Sequence, residues 1–344
     1  MRRLARTLRR PAPGARRASR RWRRAASSRL LLAALLLALA LPTSAAALVV
    51  GIGDQRPEMF HDPRFQALGM RYVRLSIGWN ALQSRSQTRA LNTWLTTARA
   101  EHLHPLIAFE QSRIPGQRKH LPTAGQLGHQ FRILRARYPW VTEFATWNEA
   151  NYCGQPTCHK ARLIASYYRE LRHLCPRCAV LGAELLDEPN MVRWVRAFRH
   201  ALHGEASIWG LHNYIGANRL QSASTRALLR TTRGQVWFTE IAGLVARHNH
   251  SRHDFPESAS HAAKVTQFVF ARLARLSSRV KRLYLYQWQA GALRHEPWDS
   301  ALLGANGTPR PAFWVLVREL HAFGQLPATP EASALLAAAA KTTS

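Results

Sequence analysis

Residues 71–110 read RYVRLSIGWNALQSRSQTRALNTWLTTARAEHLHPLIAFE and contain the structural unit from which the fold follows. The runs RYVRLSIGW (71–79) and HPLIAFE (104–110) are short and rich in apolar, β-branched and aromatic residues, which is typical of buried strands. Between them, LNTWLTTARAEHL (91–103) has apolar residues at steps of three and four, which indicates an amphipathic helix. A strand, a helix and a second strand in this order predict two parallel strands.

The same unit recurs from residue 48 to about residue 325. Eight strand-like runs lie at 48–53, 71–79, 104–110, 141–149, 178–185, 206–214, 235–240 and 282–288. Amphipathic stretches lie at 91–103, 125–138, 160–174, 190–202, 261–276 and 311–323. Because a (β/α)8 TIM barrel usually takes ~250 residues, this pattern predicts an α/β fold of that type. A doubly wound open sheet is disfavoured, since the first turn, GIGDQRPE (51–58), lacks the spacing G-x-G-x-x-G.

The N-terminal segment 1–47 predicts an export signal. Residues 1–29 contain twelve arginines and no acidic residue, and LLLAALLLALAL (30–41) follows before the small residues PTSAAA. This order is typical of a secretory signal, with cleavage expected near Ala47, and arginine pairs at 20–21 and 23–24 are compatible with twin-arginine export. An uncleaved membrane anchor is the alternative, although twelve apolar residues are few for a bilayer core of about 30 Å. We therefore expect a secreted protein with one domain at 48–325 and a flexible Pro- and Ala-rich tail at 326–344.

The rest of the chain is also strongly basic. Of the 49 lysines and arginines, 37 remain after the twelve N-terminal arginines are removed, against 19 acidic residues, which leaves a net charge of about +18. One interpretation is an ordinary solvated basic surface. Another is adhesion to an anionic cell wall, membrane surface or polyanionic glycan. No helix-turn-helix, RRM or zinc-finger pattern supports a nucleic-acid partner.

The four cysteines lie at 153, 158, 175 and 178. After export, disulfides are favoured, and four cysteines allow three pairings among which the sequence does not decide. The spacing C-x4-C followed by C-x2-C also leaves a zinc site as an alternative. We interpret the cysteines as structural disulfides.

Two glutamates end strand-like runs on opposite sides of the predicted barrel. Glu149 closes the fourth run and Glu240 closes the seventh. In (β/α)8 barrels the functional side chains lie at the C-terminal ends of the strands, so these two carboxyl groups are expected to meet over the barrel mouth. Glycoside hydrolysis needs such a pair, in which one group donates a proton and the other is a nucleophile or base.

The motifs around these glutamates resemble those of a known clan. WNEAN (147–151), HNY (212–214) and WFTE (237–240), at the ends of the fourth, sixth and seventh runs, are similar to motifs of the (β/α)8 retaining glycoside hydrolases, which include cellulase-like and xylosidase/iduronidase-like families. The resemblance covers about residues 48–325. It implies a glycosidase in which Glu149 is the general acid/base and Glu240 is the nucleophile, with a carbohydrate substrate and neither a metal nor an organic cofactor.

The resemblance also implies a set of substrate-binding residues around the pair. Asn148 would bond the sugar 2-hydroxyl, Tyr214 would donate to Glu240, and the cation of Arg74 would keep Glu240 ionised. His212 and Trp288 would line the subsite of the attacked sugar. The full expected set is Arg74, Asn148, His212, Tyr214, Trp288 and Trp298.

Some positions depart from the clan's pattern. Ala150 follows the acid/base glutamate where many members have proline, and Ile241 and Ala242 precede Gly243 where many have glycine directly after the nucleophile. Neither change removes a reacting group. A barrel that binds carbohydrate or cell wall without turnover is therefore the competing interpretation.

Other polar residues are expected to be structural. Asp54 and Glu110, at the ends of the first and third runs, are interpreted as structural or rim residues. His248, His250 and His253 lack a ligand-like context and are assigned to a solvated loop.

Overall fold

The computed structural model of the protein describes residues 48–247, 254–291 and 298–342. Nine parallel strands form one sheet. They are β1 (Val49–Gly53), β2 (Tyr72–Gly78), β3 (His104–Glu110), β4 (Glu143–Ala145), β5 (Ala179–Leu181), β6 (Glu184–Leu186), β7 (Ile208–His212), β8 (Gln235–Ile241) and β10 (Val280–Tyr286). Their order in the sheet is β5-β4-β3-β2-β1-β10-β8-β7-β6. They fall within or overlap the eight predicted runs, which confirms the predicted fold.

The fifth run forms two short strands that together close the barrel. β5 pairs with β4, and β6 pairs with β7. Between them, the Gly182 N–H donates to Ile208 O, and Ala183 O accepts from the Gly210 N–H, both at 2.9 Å. A Cβ atom on Gly182 would lie 2.6 Å from the Cβ of Ala206, so only glycine permits this close approach. Residues 179–186 thus connect both edges of the sheet.

Helices follow the strands and cover the outside of the barrel. They are α1 (Pro63–Leu68), α2 (Arg85–Ala100), α3 (Ala124–Arg137), α4 (Ala161–Leu174), α5 (Met191–Leu202), α6 (Tyr214–Asn218), α7 (Ala223–Thr231), α8 (Ala259–Phe268), α9 (Pro311–Ala322) and α10 (Pro330–Lys341). A π-helical turn (Val269–Leu273) extends α8, and a short antiparallel pair joins β9 (Ala246–Arg247) to β11 (Trp298–Asp299). Apolar residues at helical spacing account for these elements; in α5, Met191, Trp194, Val195 and Phe198 are buried.

The barrel interior is a packed core, as is usual for this fold. At its N-terminal end, Glu143 forms an ion pair with Arg282, whose guanidinium lies 4.2 Å and 3.9 Å from the ring centroids of Tyr72 and Trp237. Above this layer the Tyr284 ring is fully buried. Side chains therefore fill the interior of the barrel below its C-terminal mouth.

The C-terminal segment differs from the predicted flexible tail. The structure places α10 there, beginning after Thr329, whose hydroxyl accepts from the Ala332 N–H at 3.2 Å. Ala332 and Ala339 are fully buried, and Arg318 Nη1 donates to Ala339 O at 2.8 Å. The alanines that suggested a loose tail are the strongest helix formers, and Pro330 occupies the first helical position, where proline is tolerated.

The four cysteines form two local disulfides, Cys153–Cys158 and Cys175–Cys178, with Cα atoms 4.7 Å and 5.3 Å apart. The predicted disulfides are confirmed, and the two local bridges are the pairing found. A sulfur held in a disulfide is not the thiolate that zinc requires, so the zinc alternative is not supported.

The predicted export signal at 1–47 and the histidine loop with His248, His250 and His253 lie outside the described residues. Within the described parts of the chain, the helices are too short or too polar to cross a lipid bilayer.

Candidate active site

Glu149 and Glu240 face each other at the mouth of the barrel. One carboxylate oxygen of each, together with a ring nitrogen of His212, lie within 4.8 Å of one another. The side chains of Glu149 and Glu240 are 21% and 15% exposed, so both are mostly enclosed and still reach solvent. The structure thus brings together the two glutamates that the strand ends predict.

The backbone of Glu149 has the left-handed conformation, with φ of 47°. This conformation costs a non-glycine residue on the order of 1–2 kcal/mol. Hydrogen bonds on both sides hold it, because the Asn148 N–H donates to Phe109 O at 2.6 Å and the Ala150 N–H donates to Glu184 O at 2.9 Å. A proline at position 150 has no N–H and would lose the second bond. The departure at Ala150 therefore helps to fix the orientation of Glu149.

Arg74, on β2, connects most of the site. Its side chain is 1% exposed, and Nη1 donates to Glu240 Oε2 at 2.8 Å while Nη2 donates to Asn148 Oδ1 at 2.7 Å. Nε and Nη2 donate to the two carboxylate oxygens of Glu184 at 2.8 Å and 2.5 Å. Burial favours the neutral form, but the charges of Glu184 and Glu240 prevail and raise the pKa of Arg74 above its ordinary value. The cation is permanent and lies in direct contact with Glu240.

Tyr214 completes the environment of Glu240. It begins α6 directly after β7, and its hydroxyl donates to Glu240 Oε1 at 2.9 Å. Burial and then the Glu240 charge raise the pKa of Tyr214 well above its ordinary value, so the phenol keeps its proton. Its ring meets the edge of Trp298, with centroids 4.8 Å apart. Both oxygens of Glu240 therefore accept a hydrogen bond, and Trp298 lies beside the site as expected.

His212 lies beneath the two glutamates, fully buried. Its Nδ1 is 3.2 Å from Glu149 Oε1 and 3.8 Å from Glu240 Oε2. Burial alone lowers the pKa of His212, but the carboxylates of Glu240, Glu149 and Glu184 outweigh it and raise the pKa to about 9. The side chain therefore contacts the pair from inside the barrel. The expected role of His212 in lining the subsite of the attacked sugar stays a prediction.

Trp288 lies outside the site, contrary to the prediction. It is 1% exposed, its ring meets the edges of Phe65 and Phe313, and its indole N–H donates to Asp62 Oδ2 at 3.1 Å. The reason is that β10 ends at Tyr286, two residues earlier than the predicted run. Trp288 consequently turns outward into the core between barrel and helices.

Two residues of the site were missed by sequence reasoning. Glu184 is fully buried beside Arg74, and its only sequence signal is a charge inside an otherwise apolar run. Tyr286, half-buried at the end of β10, continues the inward alternation of Arg282 and Tyr284. A Cβ on Gly53 would lie 3.4 Å from the Tyr286 ring, and burial and then Glu240 raise the pKa of Tyr286. The alternation of inward residues would have identified this tyrosine if the strand end had been placed correctly.

The acidic residues expected at the rim have structural partners. Glu110 accepts from Arg113 Nε at 2.6 Å and lies 3.5 Å from Asn148 Nδ2. Asp54 is 1% exposed and accepts from the backbone N–H groups of Arg56 and Trp288 at 2.9 Å and 3.0 Å. Glu110 therefore borders the site through Asn148, whereas Asp54 fastens the loop after β10.

Glu149, His212 and Glu240 are also close enough together to ligate one metal ion. Arg74 already supplies a positive charge 2.8 Å from Glu240, and His212 lies at hydrogen-bond distance from Glu149. Hydrogen bonding and ion pairing account for this spacing, so the donor set does not call for a metal.

Comparisons with known proteins identify the fold. No protein-family model and no curated protein match the sequence. A family 39 glycoside hydrolase from Bacteroides cellulosilyticus matches with a TM-score of 0.53 and 16% identity, over 80% of this chain and 64% of that chain. Xylanase 10B from Thermotoga maritima matches with a TM-score of 0.55 and 10% identity, over 81% of this chain and 96% of that chain. An endo-β-1,3-glucanase of family 128 from Amycolatopsis mediterranei, in complex with laminaripentaose, matches with a TM-score of 0.53 and 16% identity, over 78% of this chain and 97% of that chain.

This chain thus spans less than two thirds of the family 39 protein and nearly all of the other two. At these identities the likeness shows the fold alone, which is the (β/α)8 barrel. The predicted fold is thereby confirmed.

Proposed function

We propose that this protein hydrolyses O-glycosidic bonds of a poly- or oligosaccharide by a retaining mechanism. The observation that carries the proposal is that one carboxylate oxygen of Glu149 and one of Glu240 lie at most 4.8 Å apart. Retaining enzymes hold the two carboxyl groups about 5–5.5 Å apart, whereas inverting enzymes need about 6.5–9.5 Å to admit a water. The short separation favours direct attack by one carboxylate.

Glu240 is the nucleophile in this mechanism. Arg74 and Tyr214 donate to its two oxygens and hold it as a carboxylate directed at the mouth. One of these oxygens bonds to the anomeric carbon while the glycosidic C–O bond breaks, which gives a covalent glycosyl-enzyme. Arg74 and Tyr214 then stabilise the carboxylate when it leaves in the second step.

Glu149 is the acid and then the base. It gives a proton to the departing glycosidic oxygen, and in the second step it takes a proton from the water that attacks the anomeric carbon. His212 Nδ1 occupies Oε1 of Glu149, and the described residues make no hydrogen bond to Oε2. Oε2 is therefore the oxygen proposed to exchange the proton with the sugar.

The residues proposed to contact the sugar border this pair. Asn148 directly precedes Glu149, and its Nδ2 lies 3.5 Å from Glu110 Oε2. The Trp298 ring packs against Tyr214, and Tyr286 lies close enough to Glu240 for that charge to raise the pKa of Tyr286. Aromatic rings provide apolar contact area together with a polar group. The laminaripentaose complex of the family 128 glucanase supports a saccharide as the ligand class.

We also infer that the protein acts outside the cytoplasm. Two disulfides support folding in an oxidising compartment, in agreement with the export signal expected at 1–47. A catalytic domain at 48–325 is part of the same proposal.

The test is a panel of aryl glycosides followed by trapping with the matching 2-fluoro sugars. Turnover and a covalent adduct on the peptide containing Glu240, located by mass spectrometry, are expected; Glu240→Gln must give no adduct. Saccharide binding without turnover and without adduct would instead establish an inactive carbohydrate-binding barrel.

A further inference from the structure

A third glutamate, Glu184, lies below the proposed catalytic pair. It belongs to β6, is fully buried, and pairs side-on with Arg74 through both carboxylate oxygens. Burial disfavours its charge, but the cation and hydrogen bonds of Arg74, together with His212, prevail and lower the pKa of Glu184 to about 2. An ionised glutamate is therefore part of the site although it does not reach the mouth.

The barrel is shaped to hold this carboxylate. A Cβ atom on Gly210, the neighbouring residue on β7, would lie 2.7 Å from Cγ of Glu184. The absence of a side chain at 210 leaves the space that the glutamate fills. The Glu184 main chain also accepts from the Ala150 N–H, so the same residue anchors the segment that presents Glu149.

The hydrogen atoms of Arg74 constrain the state of His212. Nη2 carries two hydrogens, and the short contacts to Glu184 Oε2 and Asn148 Oδ1 use both of them. Nε2 of His212, 3.2 Å from Nη2, therefore receives no hydrogen from Arg74. The carboxylate oxygen Oε2 of Glu184 lies 3.6 Å from Nε2, an ion-pair distance.

The groups that face His212 come from four parts of the barrel. They are Arg74 on β2, Glu149 after β4, Glu184 on β6 and Glu240 on β8. Glu149 and Glu240 lie on the Nδ1 side, and Arg74 and Glu184 lie on the Nε2 side. Among the residues that the structure describes, Glu184 is the acid that offsets the positive charge of Arg74 on the Nε2 side.

We propose that Glu184 is a positioning residue with two effects. It fixes Arg74 against Glu240, and its negative charge keeps both ring nitrogens of His212 protonated. Nδ1 of His212 then donates to Glu149. The effect on turnover rests on the proposed function, whereas the proton on His212 does not. Without the Glu184 charge, Arg74 would repel a proton on Nε2, and His212 would lose it at lower pH. Glu149 would then lose its charged hydrogen-bond donor.

The proton on His212 is tested by NMR titration of the histidine rings in the full chain. The His212 signals are identified by their absence in His212→Gln. Glu184→Gln is expected to lower the titration midpoint of His212 by about one pH unit or more. The matched control is Glu143→Gln, which removes a mostly enclosed glutamate–arginine pair at the N-terminal end of the barrel and is expected to leave the midpoint unchanged.

Equal His212 midpoints in wild type and Glu184→Gln would overturn the proposal. Should Glu184→Gln not fold, Glu184→Asp tests the same claim, because the shorter side chain withdraws the carboxylate from Arg74 and Nε2, and its midpoint must also fall below that of wild type.

Kinetic measurements then distinguish a positioning role of Glu184 from a contribution to folding stability alone. With an aryl glycoside, Glu184→Gln is expected to change the pH dependence of kcat/KM, because His212 contacts the proposed acid, while Glu143→Gln leaves the pH profile in place. A drop in activity with an unmoved pH profile would contradict the positioning role. If wild type turns over no glycoside, the proposed function fails while the NMR result still decides the role of Glu184.

Discussion

His212 Nδ1 lies 3.2 Å from Oε1 of Glu149, so the proposed acid is hydrogen-bonded from inside the barrel by a fully buried side chain. The same nitrogen is 3.8 Å from Glu240. His212 therefore links the proposed acid and the proposed nucleophile, and its protonation affects both.

This contact predicts a specific pH dependence of stability. The pKa of His212 is raised to about 9 because the carboxylates of Glu240, Glu149 and Glu184 outweigh the effect of burial. A raised folded-state pKa gives stabilisation that is fully present below the unfolded value of about 6.5 and is lost as pH rises towards 9. The free energy of unfolding, measured in urea, should fall on the order of 3 kcal/mol more in wild type than in His212→Gln across this window. His129→Gln, exposed on α3, should behave like wild type.

Removal of the proposed nucleophile should abolish turnover. Glu240→Ala is expected to lower kcat/KM by at least about 10⁴-fold, the scale seen when a reacting group is removed from an enzyme. Glu331→Ala, exposed on α10, is the control and should keep full activity. Initial rates on the best aryl glycoside provide the measurement, and substantial activity in Glu240→Ala would exclude it as the nucleophile.

Loss of the proposed acid should depend on the leaving group. Glu149→Ala is expected to lower kcat/KM by about 10²–10⁴-fold on glycosides whose leaving oxygen needs a proton, because general acid catalysis contributes on this scale. Activated aryl glycosides, which depart without protonation, should lose much less in the bond-breaking step. Parallel kinetics on both substrate types measure the difference; equal losses would count against Glu149 as the acid.

The tyrosine beside Glu240 should affect catalysis and not folding. Tyr214→Phe removes a hydrogen bond of 2.9 Å to a carboxylate, and bonds to charged groups contribute about 1.5–3 kcal/mol. We expect kcat to fall about 10- to 150-fold with little change in the unfolding midpoint. Tyr138→Phe, whose hydroxyl lies 3.4 Å from Asn92, is the control. Unchanged kcat in Tyr214→Phe would show that this bond has no part in the reaction.

The two local disulfides should contribute measurably to stability. Loops as short as those of Cys153–Cys158 and Cys175–Cys178 give about 2 kcal/mol each from loop-closure entropy. Peptide mapping should recover both pairs, and paired serine substitutions should lower the free energy of unfolding by that amount. Unchanged stability after full reduction would show that neither bridge is needed.

Much of the architecture was predictable because strand and helix patterns are local. The alternation of apolar runs with amphipathic stretches predicted the barrel. The strand ends at Glu149 and Glu240 predicted the carboxylate pair, since parallel strands present their C-terminal ends at one mouth. Errors arose where local signals were ambiguous. The eighth run was extended two residues too far and Trp288 was assigned to the mouth, and alanine-rich α10 was interpreted as a loose tail.

The sequence by itself determined the order of the strands and the identity of two facing acids, because both follow from periodicity along one segment at a time. The tertiary structure alone decided which buried charges meet inside the barrel. Glu184 contacts Arg74 and His212 only because β6, β2 and β7 direct their side chains into the same interior layer. Closure of the barrel sets that layer, and no local pattern encodes it.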